Sequence, residues 1–117
     1  MIEIRNLTKK RADTGMIKKL YSKIFFNKKF ELGVVLANPR LMLALNRKYR
    51  KKDKIADVLS FLYKEEKAGE IFLNISKKNL PYLFVHGSLH LLGYSHKKNR
   101  DAKKMNMKEL NILNKTK

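Results

Sequence analysis

The sequence predicts an α+β fold, a single domain in which a small mixed four-stranded sheet packs with helices, and three observations lead there. Stretches of strand character and stretches of helical periodicity follow one another in the order β-α-β-α-β-β-α-α, which suits one sheet covered by helices. The chain has 117 residues, which at about 100 to 200 residues per domain gives one domain, residues 1–117. A helix beginning at Leu80-Pro81 is apolar nearly all round, so it belongs inside the molecule.

Each element has its own signal. Ile2 and Ile4 alternate with Glu3 and Arg5, a short half-buried strand. From Thr14 to Asn27 the apolar positions Met16, Ile17, Leu20, Tyr21, Ile24 and Phe25 repeat with the helical period, and Asp13 or Thr14 supplies the cap. Phe30 to Ala37 contains Leu32-Gly33-Val34-Val35-Leu36, a buried strand. Asn38-Pro39 reads as an N-cap followed by proline at the first helical position. The helix that follows carries Leu41, Met42, Leu45 and Tyr49, a spacing that favours core packing of Tyr49 over stacking on a base, and its outer face is basic. Val58 to Tyr63 and Glu70 to Ile75 read as two further strands, the second opened by Gly69. A basic helix from about Arg100 to Leu113 closes the chain.

Composition narrows the function classes. With no cysteine, a disulfide scaffold and a Cys-ligated metal site are both excluded. No apolar run reaches the ~18 to 20 residues of a membrane span, and the first residues lack the apolar core of a signal peptide. A cytoplasmic domain, free of the membrane and without a small-molecule cofactor, is the expectation. The 28 Lys and Arg against 10 Asp and Glu leave a net charge of +18, so an anionic partner, nucleic acid first, is expected. The charge is concentrated: residues 46–54, NRKYRKKDK, hold six basic groups and one acid, and residues 97–117 hold eight and two.

All three histidines, His86, His90 and His96, fall within the stretch VHGSLHLLGYSH. Residues four apart share a helix face, so His86 and His90 can grip one ion. Gly93 can take the left-handed conformation that ends a helix and turn the chain so that His96 approaches the same point. Three neutral imidazoles around a tetrahedral zinc leave one coordination position open, the pattern of a catalytic site. One Zn²⁺ per chain is expected, with other divalent ions as substitutes. The frame H-x3-H-x2-G-x2-H matches that of metzincin proteases, which place Glu directly after the first histidine as proton acceptor. Gly87 stands there and cannot act as a base.

At these residues the chain resembles the YbeY family of bacterial endoribonucleases that mature ribosomal RNA. The family pattern H-G-x-L-H-L-x-G-Y-D-H is similar to His86-Gly87-Ser88-Leu89-His90-Leu91-Leu92-Gly93-Tyr94-Ser95-His96. A second family stretch resembles Leu45-Asn46-Arg47-Lys48-Tyr49-Arg50-Lys51-Lys52-Asp53 followed by Ala56-Asp57-Val58-Leu59-Ser60-Phe61, and a third resembles Gly69-Glu70-Ile71. Two departures stand out. Ser95 replaces the family's Asp, a carboxylate that would anchor a ligating imidazole, which implies metal affinity lower by about 10- to 100-fold. The segment between Ile75 and His86 is short and lacks the family's acidic helical stretch.

The resemblance implies a metal-dependent hydrolase of single-stranded RNA, acting in 3′-end processing of 16S rRNA and in ribosome quality control. Its partners would be rRNA and the small ribosomal subunit, and the chain is expected to act as a monomer. His86, His90 and His96 would hold the metal, with His86 and Arg50 as catalytic residues. The planar Arg50 guanidinium suits a scissile phosphate, and Lys48, Arg50, Lys51, Lys52 and Lys54 would guide the RNA backbone. Asp57, Ser60 and Ser95 would support the site, Asp57 by orienting Arg50 or a water, or by doing no more than starting its strand. Two other readings stand behind this one: a non-catalytic RNA- or ribosome-binding protein with a structural metal, and a metallopeptidase of metzincin spacing.

Overall fold

The structure, a computed structural model, describes residues 1–94 and 99–116. Its elements are β1 (Ile2–Asn6), α1 (Thr14–Ile24), β2 (Glu31–Ala37), α2 (Pro39–Arg50), β3 (Val58–Tyr63), β4 (Ala68–Asn74), α3 (Leu80–Leu91) and α4 (Asn99–Thr116). The sheet runs in the order β1-β2-β4-β3. The β1–β2 and β2–β4 pairs are parallel and β4–β3 is antiparallel, so the sheet is mixed and β3 lies at an edge. The α+β class and the element order agree with the sequence reading. Among the described residues, no helix is long and apolar enough to cross a membrane.

Two boundaries differ from the periodicity. α1 stops at Ile24 and does not continue to Asn27. The apolar Phe25 still faces inward, stacked between Tyr21 and Phe30 at 5.1 Å from each ring, but Asn27 leaves the helix in the left-handed region at φ 59°. β4 starts at Ala68, where it pairs with both Glu31 and Tyr63. The helix starts follow their chemistry. The Asp13 carboxylate accepts from Met16 N at 3.0 Å, and the Asn38 side chain accepts from Leu41 N at 2.9 Å ahead of Pro39.

Strand alternation divides the interior into two parts. Val34, Leu36, Ile71 and Leu73 face one side and form the main core with α1, α3 and α4. Leu59 and Phe72, partners in register, face the other side with Phe61 and lie under Met42 and Leu45 of α2. α2 and α3 therefore cover opposite faces of the β3–β4 end. α4 is more than a basic surface helix: Met105, Glu109 and Ile112 are buried, and Met105 and Ile112 join the main core.

Candidate active site

The site begins with the termination of α3. Leu92 caps the helix and Gly93 takes φ 100°. Gly93 N–H then donates to the His90 carbonyl at 3.1 Å and Tyr94 N–H to the Leu89 carbonyl at 3.0 Å, the double hydrogen bond of a Schellman turn. That reversal returns the Tyr94 carbonyl to the helix, where it meets Nδ1 of His90 at 3.0 Å. A carbonyl can only accept, so Nδ1 of His90 carries the proton and Nε2 presents a lone pair. One turn earlier, Nδ1 of His86 lies 3.0 Å from Oε1 of Glu109.

The two Nε2 atoms face one another 3.1 Å apart. With both Nδ1 atoms directed at oxygen acceptors, the two Nε2 atoms are the ring nitrogens turned into the cleft, and as neutral imidazoles both can donate a lone pair to one cation. Two imidazole nitrogens on a tetrahedral zinc at about 2.0 to 2.1 Å are themselves roughly 3.3 Å apart. The residues present therefore fit a shared first-row metal ion. Among the described residues, no group of three His, Asp or Glu is gathered around one point. The third expected ligand, His96, and Ser95 beside it lie outside the described residues, and so does the completion of the metzincin-like frame.

Arg50 reaches this point from the opposite face of the sheet. It is the last residue of α2, and Lys51 in the left-handed region (φ 57°) ends the helix there. Because β3 is an edge strand, the side chain passes around it, and Nη2 donates to the Ser60 carbonyl at 3.1 Å. Arg50, Val58, Ser60, Leu62, His86, His90 and Leu91 then line one cleft of about 300 Å³. The guanidinium rests on a neutral carbonyl, while the acids next in sequence are held elsewhere, Asp53 by Arg47 and Asp57 by Lys77 at 3.5 Å. Among the described residues no carboxylate forms an ion pair with it.

Gly87 explains how closely α3 approaches the sheet. A Cβ there would lie 2.8 Å from Ser60 Oγ, 3.1 Å from Val58 Cγ2 and 3.2 Å from Ile71 Cγ2. The position that carries a glutamate in metzincins thus points into packed strands, with no room for a side chain.

The basic segment after α2 forms a second wall. Buried Asn46 donates to the Lys54 carbonyl at 2.8 Å and accepts from Lys52 N–H on its own carbonyl at 3.2 Å, which folds residues 51–54 back against the helix. Arg50, Lys52, Lys54 and Asp57 line the resulting groove, also of about 300 Å³, which shares Arg50 and Val58 with the histidine cleft. Lys48 and Lys51 line neither; Lys48 Nζ sits 5.2 Å from the centre of the Tyr49 ring. Tyr49 is not a core residue as its spacing implied: it is 53% exposed and meets Phe61 edge-on at 5.3 Å.

Two residues at the site were missed in the sequence. Glu109, 2% exposed, approaches His86 from α4, and Tyr82 stacks on His86 with ring centres 5.9 Å apart. Burial first, and the neighbouring Glu109 carboxylate second, raise the Tyr82 phenol above its ordinary pKa. The available signals were a carboxylate in the apolar stripe Met105–Glu109–Ile112, and Tyr82 one turn before His86. Another cleft, of about 310 Å³, lies on the sheet face near β1, where Glu3, Glu31 and Glu70 outnumber Arg5 and the N-terminal ammonium and so suit a phosphate poorly.

The comparisons with known proteins follow this geometry. The family model described as Endoribonuclease YbeY matches residues 2–117. An Endoribonuclease YbeY of Neorickettsia sennetsu is 33% identical, with the match covering 98% of this chain and 96% of that protein. One from Anaplasma phagocytophilum is 37% identical over 72% of this chain and 66% of its own length. The solution structure of a Thermotoga maritima protein superposes with a TM-score of 0.67 at 25% identity, covering 99% of this chain and 89% of that one. By sequence and fold the chain belongs to the YbeY family of endoribonucleases.

Proposed function

We propose that the cleft between α3 and β3 hydrolyses single-stranded RNA, with the scissile phosphate held between Arg50 and the His86–His90 pair. The observation that carries this reading is the convergence of those three side chains on one cleft from two helices on opposite faces of the sheet. His86, His90 and His96 would hold one zinc ion per chain. When bound, that ion supplies Lewis acidity at the phosphoryl group and an acidified water.

The chain's own groups do the rest. Arg50 binds a non-bridging phosphate oxygen and stabilises the charge that grows there, with the Ser60 carbonyl keeping its fork in place. Lys52 and Lys54 lead the backbone of the strand along the adjoining groove. A narrow cleft next to a basic groove suits a single strand whose bases are free to turn outwards. The physiological substrate is the 3′ region of 16S rRNA on the small ribosomal subunit, and the protein works in the cytoplasm as a monomer. A binding role with a structural metal does not account for Arg50 sharing the imidazoles' cleft, and the packing around Gly87 leaves no place for a protease's glutamate.

The deciding experiment compares wild type with His90→Ala on one preparation each. Metal content is read by mass spectrometry, and cleavage on a single-stranded RNA and its duplex. Joint loss of metal and of single-strand cleavage supports the reading. Cleavage retained by metal-free His90→Ala would overturn it.

A further inference from the structure

We propose that Glu109 is a positioning residue of the metal site, holding His86 with Nδ1 protonated and Nε2 turned into the cleft. It would thereby supply an anchoring carboxylate from α4 in a chain whose sequence has serine, not aspartate, at position 95. The inference rests on the reading of His86 as a metal ligand.

Glu109 sits where a carboxylate is costly unless compensated. It is 2% exposed, and its neighbours along α4, Met105 and Ile112, belong to the hydrophobic core. Its partners are of the kind that direct an imidazole. Oε1 lies 3.0 Å from His86 Nδ1, and the Tyr82 ring stacks against His86 with ring centres 5.9 Å apart. A neutral imidazole that donates Nδ1–H to a carboxylate keeps its lone pair on Nε2, the atom that here faces His90 Nε2. His90 reaches the same state through the Tyr94 carbonyl. The two rings thus have different anchors, one local to the turn after α3 and one brought from 23 residues downstream. Because the second anchor belongs to α4, metal binding and the docking of α4 favour one another reciprocally.

The test measures zinc affinity of the full chain by competition with a chromophoric chelator, for wild type, Glu109→Gln, Glu109→Ala and His86→Ala. Long-range ¹H–¹⁵N spectra report the His86 tautomer, and hydrogen exchange of α4 is followed with and without zinc. Glu109→Ala is expected to weaken zinc binding by about 10- to 100-fold and to release the His86 tautomer. Glu109→Gln, which keeps an acceptor oxygen and the side-chain volume, loses less affinity and carries the test if the alanine variant fails to fold. Zinc is expected to slow exchange in α4 of wild type and not of Glu109→Ala. Wild-type affinity and an unchanged tautomer in both Glu109 variants, with binding lost in His86→Ala, would overturn this proposal alone. Wild-type zinc binding by His86→Ala would overturn the ligand reading and the proposal with it.

Discussion

Ser60 Oγ donates to the Gly87 carbonyl at 3.0 Å, and a Cβ on residue 87 would stand 2.8 Å from that same oxygen. One contact thus seats α3 on β3 and fixes the width of the cleft between them. Gly87→Ala must push strand and helix apart, and overpacking of this kind costs about 1 to 3 kcal/mol. Chemical denaturation is expected to show that loss. Ser60→Ala in the same background should restore part of it, since the closest clash is removed while Val58 and Ile71 remain. An unaffected Gly87→Ala would show that α3 is not held at this distance.

Arg50 is expected to act on rate more than on binding. Removing a donor aimed at developing charge lowers turnover by about 100- to 1,000-fold. Single-turnover cleavage by Arg50→Ala should fall by that order, with RNA affinity changed only a few-fold. Arg50→Lys should recover little, because an ammonium lacks the fork that both grips the Ser60 carbonyl and faces the cleft. Equal losses in rate and affinity would reduce Arg50 to a binding group.

Lys52 and Lys54 should behave in the opposite way. Each alanine substitution is expected to weaken RNA binding and to flatten its salt dependence by roughly 0.7 for each phosphate that is no longer neutralised. Lys48→Ala and Lys51→Ala, whose side chains line neither cleft, should leave that slope near the wild-type value.

Gly93→Ala separates conformation from crowding. Among the described residues nothing lies within 4 Å of a Cβ built there, so the expected penalty is that of φ 100°, a strain of about 1 to 3 kcal/mol. The Schellman turn also holds the Tyr94 carbonyl against His90. The variant should therefore lose zinc affinity as well as thermal stability, checked by chelator competition and calorimetry. Loss of stability with unchanged affinity would detach the turn from the site.

The hydrogen bond from the Tyr63 hydroxyl to Glu70 Oε1, 2.6 Å long, is the largest cause that pushes the Tyr63 phenol up to about 12 from 10.0, ahead of burial. A folded-state value above the unfolded one stabilises the fold fully below pH 10, and that contribution is lost as the pH rises through about 12. The stability difference between wild type and Tyr63→Phe should be constant up to pH 10 and shrink above it, with a late tyrosinate absorbance transition absent from the variant. Tyr63 is 43% exposed, so the effect is small.

Local chemistry made most of the fold legible. Alternation announced β1, the helical period announced α1 and α2, and Asp13, Asn38 and Gly93 marked ends that hydrogen bonding then uses. Strand order was not legible, because the central place of β4 depends on pairings between Glu31, Ala68 and Tyr63 that no local pattern encodes. The histidine pair was legible because both ligands share one helix. Glu109 escaped because its contact with His86 is long-range, and a carboxylate in a lysine-rich helix reads as surface until the helix is docked. The exposure of Tyr49 escaped for the same reason: helical spacing sets its direction, while the edge strand beside it sets how much of it is covered.

The contact between Glu109 and His86 also bears on timing. During synthesis the imidazole emerges 23 residues ahead of the carboxylate that meets it. A growing polypeptide that has not yet passed residue 109 holds its histidines without their full arrangement. An RNA-cutting protein made on an RNA machine is thereby expected to hold its metal more weakly until residue 109 has been added.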